Sequence, residues 1–408
     1  MAQRKVAGAS RVLARSPIVS KRDVRKLTWY ERSILAETQQ RGGFFNAHAH
    51  LDRAHTLQAE HLAHIGTSPI EASNLPLSVK QSLVGDLHRG KAYTPENLES
   101  RMRHAIERQI YFGVTRVDTN IDATPDLPEH GMLAINIALK LKAEYAKQGI
   151  DIRIAPTPIF GFKEDDKDAR SRWDVFAAAA EKCDYISLLP EKDDGVPIFG
   201  RDGRYGFKTH IRMGIELARE LGKEVQFHLD QMNLPGERGT ERLLEVFEVV
   251  DPPNIQNGAP AVWVVHMISP SAYDESRFAR LISKLIEFNV GVIICPSAAL
   301  SMRQLRSVEA PIHNSIARML ELVKMRVPIR LGTDNIEDVF VPMGNGDMLS
   351  EVMQAASSLR IALPSLWAKI AAGIRPNNVD IHHVGRILHE DRKACMNVAP
   401  EGWKPAIE

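Results

Sequence analysis

The sequence predicts a TIM-like (β/α)8 barrel, a closed ring of eight parallel strands with helices outside. Two observations lead there. From Phe44 onward, strand-like apolar runs alternate with helical stretches, eight times in all. Polar residues capable of chemistry fall at the C-terminal ends of these runs, where such a barrel carries its active site. A doubly wound open sheet is the structural rival, and no short-period repeat is present.

Residues 27–41 read as a helix that leads directly into the first strand, Phe44-Phe45-Asn46-Ala47-His48-Ala49-His50. Residues 54–92 form a polar connection with Pro and Gly but no strand periodicity, a candidate lid over a site. Thr94 as N-cap and Pro95 at the first helical position open a helix to Phe112, and Gly113 ends it. The strand 114–119 follows. Helices near 131–147, 170–182, 207–221, 239–249, 274–288 and 314–325 then precede strands at 152–155, 185–189, 224–228, 261–266, 290–294 and 327–331. A last helical region follows Gly346. The expected division is a helical N-terminal extension over 1–43, the barrel over 44–375 and a helical tail over 376–408.

Composition bounds the function. Of 408 residues 44% are hydrophobic and 25% charged, which suits a soluble chain with a full core. The formal charge of +1 supplies no field for nucleic acid or an anionic membrane, so neither is expected as a partner. The apolar runs are too short to span a bilayer. Cys183, Cys295 and Cys395 stand far apart without metal spacing, which fits a reduced cytoplasm. Residues 1–26 carry eight basic residues against Asp23 alone, a pattern shared by transit peptides and solvated basic arms.

The chemistry collects at strand ends. His48 and His50 close the first strand, and residues i and i+2 of a strand share a face, so two imidazoles can hold one ion. His228 ends the fifth strand, His266 the sixth, and Asp334 lies just past the eighth. One histidine at a strand end is ordinarily structural. Three strands ending so, with an aspartate at a fourth, point to a single divalent metal ion, zinc or alternatively iron, with an open position for water. Asp334 would ligate and take the water's proton, while His266 would serve as general acid/base or electrostatic clamp.

His48-Ala49-His50-Leu51-Asp52, His228-Leu229-Asp230-Gln231, His266, and Gly332-Thr333-Asp334-Asn335-Ile336-Glu337-Asp338 before Pro342-Met343-Gly344 together resemble the amidohydrolase superfamily, and within it the cytosine deaminase-like branch. The resemblance spans about residues 44–375. It implies a metal-dependent hydrolase barrel with His48, His50, His228 and Asp334 as ligands to one metal, and His266 orienting water and substrate. It also implies homo-oligomers and commonly a small β-sandwich built from both termini. These termini are short and helical, so no complete sandwich is expected. Strand four ends Leu188-Leu189-Pro190-Glu191 without an internal lysine, in keeping with one metal, while Lys192 just beyond leaves a two-metal site as the alternative.

Three positions depart from the branch. Gln231 replaces a glutamate that shuttles a proton to the ring, and an amide transfers none at ordinary pH; Asp230 or His266 would have to substitute. Ile159 stands in place of a substrate-binding glutamine, and Asn335 in place of a second aspartate, where it can donate or accept. Arg53, after the metal strand, would bind a carboxylate or carbonyl or else form a rim salt bridge. His55 and the stretch 297–303 are placed at the mouth, and His382 and His383 are read as non-ligands.

The expected activity is hydrolysis of a small nitrogen heterocycle: hydroxide attacks a ring carbon, and an amine or another group such as sulfide or halide departs. Opening of a cyclic amide is the alternative reaction, and a metal-binding barrel that has lost catalysis is the alternative class. A nucleic-acid deaminase is disfavoured by the lack of its cysteine signature and of a basic patch.

Overall fold

Strand burial, not strand alternation, dominates the architecture. The strands β1 (Phe44–Ala49), β4 (Ile186–Leu188), β5 (Val225–Leu229), β6 (Val262–His266) and β7 (Val290–Ile294) are buried at every position, as parallel strands covered on both faces must be. The computed structural model describes residues 18–162, 171–194, 206–253, 258–301 and 315–398. With β2 (Val114–Asp122), β3 (Asp151–Thr157) and β8 (Ile329–Leu331), these make eight parallel strands in two hydrogen-bonded runs, β1-β2-β3 and β4-β5-β6-β7-β8.

Two seams join the runs. Asp184 N–H donates to Ile154 O at 2.8 Å between β3 and β4. Past the end of β8, Asp334 N–H donates to His48 O at 2.9 Å, His50 N–H donates to Asp334 O at 3.3 Å, and Ala49 bridges Asp334 in parallel. The second seam requires Gly332: a Cβ there would meet the His48 Cβ and carbonyl oxygen at 2.7 Å. This gives the Gly332-Thr333-Asp334 run its physical reason, since the glycine lets β8 close on β1 and carry Asp334 to the histidines. The fold is a (β/α)8 barrel, as expected.

Helices wrap the outside and bury apolar faces on the strands, as do Phe207–Leu221 and Glu275–Glu287. Before the barrel, helix Trp29–Gln40 starts with Thr28 and Glu31 in a reciprocal capping box. After it, Pro364–Ala371 packs on that helix and Asn378–Val398 forms the tail. Among the described residues both extensions are helical and form no β-sandwich, and no helix is long and apolar enough to cross a membrane.

Candidate metal centre

Simple alternation along β1 would not bring its histidines inside. Phe45 and Ala47 pack inside the barrel against Trp263, Val265 and Ile293, so His48 should face out. The pairing of β1 with β2 shifts between Asn46 and Ala49, and the phase changes with it, so that His48 and His50 both face the interior. A similar break acts on β6. Trp263 and Val265 face in while Val262 and Val264 pack outward, which would send the next side chain outward. His266 instead has φ of 79° and Met267 φ of 49°, left-handed values that L residues adopt at a cost of about 1–3 kcal/mol. With that turn the His266 ring lies 5.6 Å from the ring of His228 and 5.9 Å from that of His48.

The structure therefore gathers the five expected residues. Nε2 of His48 lies 3.1 Å from Nε2 of His228 and 3.4 Å from Asp334 Oδ1, and His50 Nε2 lies 3.3 Å from the same oxygen. Ligands about 2.1 Å from a tetrahedral ion stand about 3.4 Å apart, so these spacings are those of a donor set around one small cation. Two overlapping groups have the geometry to hold an ion, His48–His50–Asp334 and His48–His228–His266.

Hydrogen bonds on the far side of the rings select the atoms that converge. His48 Nδ1 lies 2.9 Å from Gln226 Oε1, to which it donates when it carries the proton, and 3.1 Å from Asn120 Nδ2; Gln226 is anchored by its own Nε2–H to Ala47 O at 3.1 Å. His50 Nδ1–H donates to Asn120 O at 3.1 Å. Both imidazoles thus turn the Nε2 lone pair to the centre. His228 Nδ1 faces Leu188 O at 3.4 Å. The Nδ1 of His266 is buried and has no hydrogen bond among the described residues.

Burial pushes the His50 ring, with the help of Arg53, and the His266 ring down to about 4, and burial and the neighbouring imidazoles hold His228 well below its ordinary value. Burial works to raise the Asp334 carboxyl, yet the neighbouring His48, His50 and His266 rings outweigh it and hold it well below the usual carboxylate range. Neutral imidazoles around an ionised carboxylate are the protonation state in which such side chains bind a metal.

Above the cluster opens a cavity of about 400 Å³ including its mouth, lined by His50, His228, His266 and Asp334 below and by Arg53, Ile159, Gln231 and Asn335 at the sides. Every side chain singled out from the sequence as catalytic or substrate-binding therefore borders one space. Sequence reasoning missed Leu77, Gln81, Leu189, Phe340 and Val341, which complete the wall. Leu77 and Gln81 come from helix Leu77–Arg89, inside the stretch 54–92 that the sequence marks as a candidate lid over a site without singling out either residue. It also missed Asn120 and Gln226, although a glutamine two residues before His228 in an apolar strand lies on the ligand's own face and could have been found by period-two reasoning.

Several expected roles change. Asp230 cannot stand in for the missing glutamate: its carboxylate accepts from Gly239 N at 2.7 Å, Thr240 N at 2.9 Å and the Thr240 hydroxyl, and so caps helix Gly239–Phe247 away from the cavity. Arg53 pairs bidentately with Asp122 through Nε at 2.9 Å and through Nη2, yet still borders the cavity. Asp122 is shared with His88 Nε2 at 3.1 Å. His55 turns to Glu337, 2.7 Å from Nδ1. Ser297 is buried with its N–H and hydroxyl on Glu351, not on the cavity wall; Met302 and Arg303 lie outside the described residues.

Comparison with known structures follows this geometry. The chain aligns over 82% of its length with 74% of 5-methylcytosine deaminase from Klebsiella pneumoniae liganded with phosphonocytosine, at 21% identity and a TM-score of 0.66. The two chains share one barrel fold. Guanine deaminase from C. acetobutylicum shares that barrel over 87% of this chain and 82% of its own, at 12% identity and TM-score 0.53. So does a zinc-complexed atrazine chlorohydrolase from Arthrobacter aurescens TC1, over 82% and 71%, at 16% identity and TM-score 0.51. An uncharacterised protein of Haemophilus influenzae is 27% identical over 295 residues, 72% of this chain and 95% of its own length. No family model matches the sequence.

Proposed function

We propose that the chain is a metal-dependent hydrolase of a small nitrogen heterocycle, with one divalent ion, zinc, held by His48, His50, His228 and Asp334. The observation that carries this reading is a run of close donor atoms beneath an open cavity, with His48 Nε2 3.1 Å from His228 Nε2 and 3.4 Å from Asp334 Oδ1, and His50 Nε2 3.3 Å from that same oxygen. An ion bound there would supply a Lewis acid and a water of lowered pKa. The same barrel in deaminases and in a zinc-complexed chlorohydrolase supports hydrolysis at a ring carbon.

The chain's own residues then divide the work. Asp334, held as a carboxylate at the cavity floor, accepts the proton of the attacking water. His266, neutral and without a partner at Nδ1, orients that water and passes a proton toward the departing group. Leu77, Ile159, Leu189, Phe340 and Val341 exclude solvent from a flat ring, while Arg53, Gln81, Gln231 and Asn335 read its edge. Asp334 is the one carboxylic acid among the described residues that line the cavity. Gln231 can hold a ring atom by hydrogen bonding but moves no proton. Deamination therefore depends on His266 and Asp334 for its leaving-group proton, and a sulfide or halide, which departs as an anion, demands less of them.

The test is a screen of amino-, thio- and halo-azines and of hydantoins with metal-replete protein, reading ammonia, sulfide, halide or ring opening. Turnover abolished by a chelator and restored by zinc is expected, and its products identify the leaving group. Stoichiometric metal with no turnover of any ring would transfer the assignment to a metal-binding barrel without catalysis, the reading that Gln231 favours.

A further inference from the structure

Asn335 offers the cavity an amide whose two ends could face either way. Its surroundings fix the direction. Nδ2 donates to Asp338 Oδ2 at 2.5 Å, while Asp338 Oδ1 accepts from the backbone N–H of Phe340 and of Val341, each at 2.9 Å. An ionised carboxylate only accepts, so the NH2 end of Asn335 must face Asp338 and its oxygen is left for the cavity. Asn335 Oδ1 has no hydrogen bond among the described residues. Arg53 borders the same cavity and carries a charge that acts on Asp338; it spends Nε and Nη2 on Asp122 and keeps Nη1 without a partner among the described residues.

We propose that Asp338 is a positioning residue that fixes Asn335 as an acceptor beside the Arg53 donor, so that the cavity reads the lactam edge of a ring, a C=O with its neighbouring N–H. The inference rests on the cavity being a heterocycle site, and names the part of the ring it recognises. The same carboxylate also holds Phe340 and Val341, two of the apolar walls, so one buried side chain sets both the shape and the hydrogen-bond polarity of that side.

Two isosteric probes test it: 2-pyridone, which presents C=O and N–H, and 2-pyranone, which presents C=O and a ring oxygen. Their binding to the zinc-loaded protein is measured by calorimetry well above pH 7, because burial raises Asp338 to about 7. The wild-type protein should prefer 2-pyridone roughly tenfold, one hydrogen bond's net worth. Asp338→Asn keeps an oxygen for the Phe340 and Val341 N–H groups but turns an NH2 toward Asn335, whose amide must then reverse. The preference should fall to about unity or invert, with metal content unchanged.

Asn335→Leu, which leaves Asp338 in place, should lose the preference as well, and it decides the matter if Asp338→Asn does not fold. With a turned-over substrate, Asp338→Asn should raise KM about tenfold and change kcat little, a split that general loosening of the loop would not produce. Equal affinity of the wild-type protein for the two rings, an unchanged preference in both variants, or no binding of either ring would overturn the inference. Because the readout is binding, the discrimination holds or fails whether or not any ring is hydrolysed, so its failure is separate from failure of the hydrolase reading.

Discussion

The two ends of the barrel bury polar groups in opposite ways. At the N-terminal end, Arg153 pairs with Asp118 at 3.3 Å and with Glu224 at 2.9 Å. Arg116 lies over the Phe45 ring at 4.1 Å, and Arg330 over Trp263 at 3.7 Å. Charge there is met by countercharge and by aromatic faces within the chain, although Arg330 Nη1 and Trp263 Nε1 are buried without a hydrogen bond among the described residues. At the C-terminal end, the Nε2 lone pairs of His48 and His228 face each other at 3.1 Å over an ionised carboxylate, with the ring protons engaged elsewhere. A shared proton or a cation completes that arrangement. Buried polarity closed on itself holds a fold, and buried polarity left open toward a cavity marks a site.

The largest effect should come from opening the metal end further. His228→Ala should abolish metal binding, and turnover with it, by about three orders of magnitude or more, since the ligand and the activation of water go together. Elemental analysis and steady-state rates read the two; retained metal with retained turnover would remove His228 from the ligand set. The closed end should respond in stability instead. Arg153→Leu removes the partner of Glu224 and leaves Asp118 with Arg116 alone, and should cost on the order of 1–2 kcal/mol in chemical denaturation. Metal affinity should stay unchanged, which would confirm that the two ends are energetically separate.

A smaller effect is expected one step behind the ligands. Gln226→Leu removes the acceptor for His48 Nδ1–H and should weaken zinc binding about tenfold to a hundredfold, measured by competition with a chromogenic chelator. The mildest test concerns pH. Burial raises the Glu351 carboxyl to about 8 from an ordinary 4.5. A raised folded-state pKa contributes stability below pH 4.5, and that contribution is lost as pH rises through about 8. Glu351→Gln should therefore flatten the stability profile and exceed the wild-type protein by about 1 kcal/mol above that range. Parallel profiles for the two proteins would contradict the assignment.

Much of this was readable in the sequence because strands buried on both faces carry apolar runs with sharp ends. The run Val290–Ile294 and the helix Phe207–Leu221 stand where the sequence places them. Each ligand-bearing residue was visible as a polar residue ending such a run. What the sequence did not disclose is phase. The shift inside β1 and the left-handed turn at His266 decide which way the imidazoles point, and both arise from pairing with neighbouring strands rather than from local composition. The cavity roof was hidden for a related reason. Helix Leu77–Arg89 turns Leu77 and Gln81 toward a cavity rather than a packed core, so its apolar periodicity is weak. Asp230, next to the conspicuous His228, was misread because its partner, the N-terminus of helix Gly239–Phe247, comes from a loop closure that sequence spacing does not reveal.

His48, His50, His228 and Asp334 are expected to hold one cation. Zinc titration of metal-stripped protein, with elemental analysis of the replete form, tests it most directly. The account predicts about one divalent ion per chain, a higher melting temperature on loading, and loss of both in His228→Ala. A replete protein without stoichiometric metal, or one whose metal survives that substitution, would contradict it.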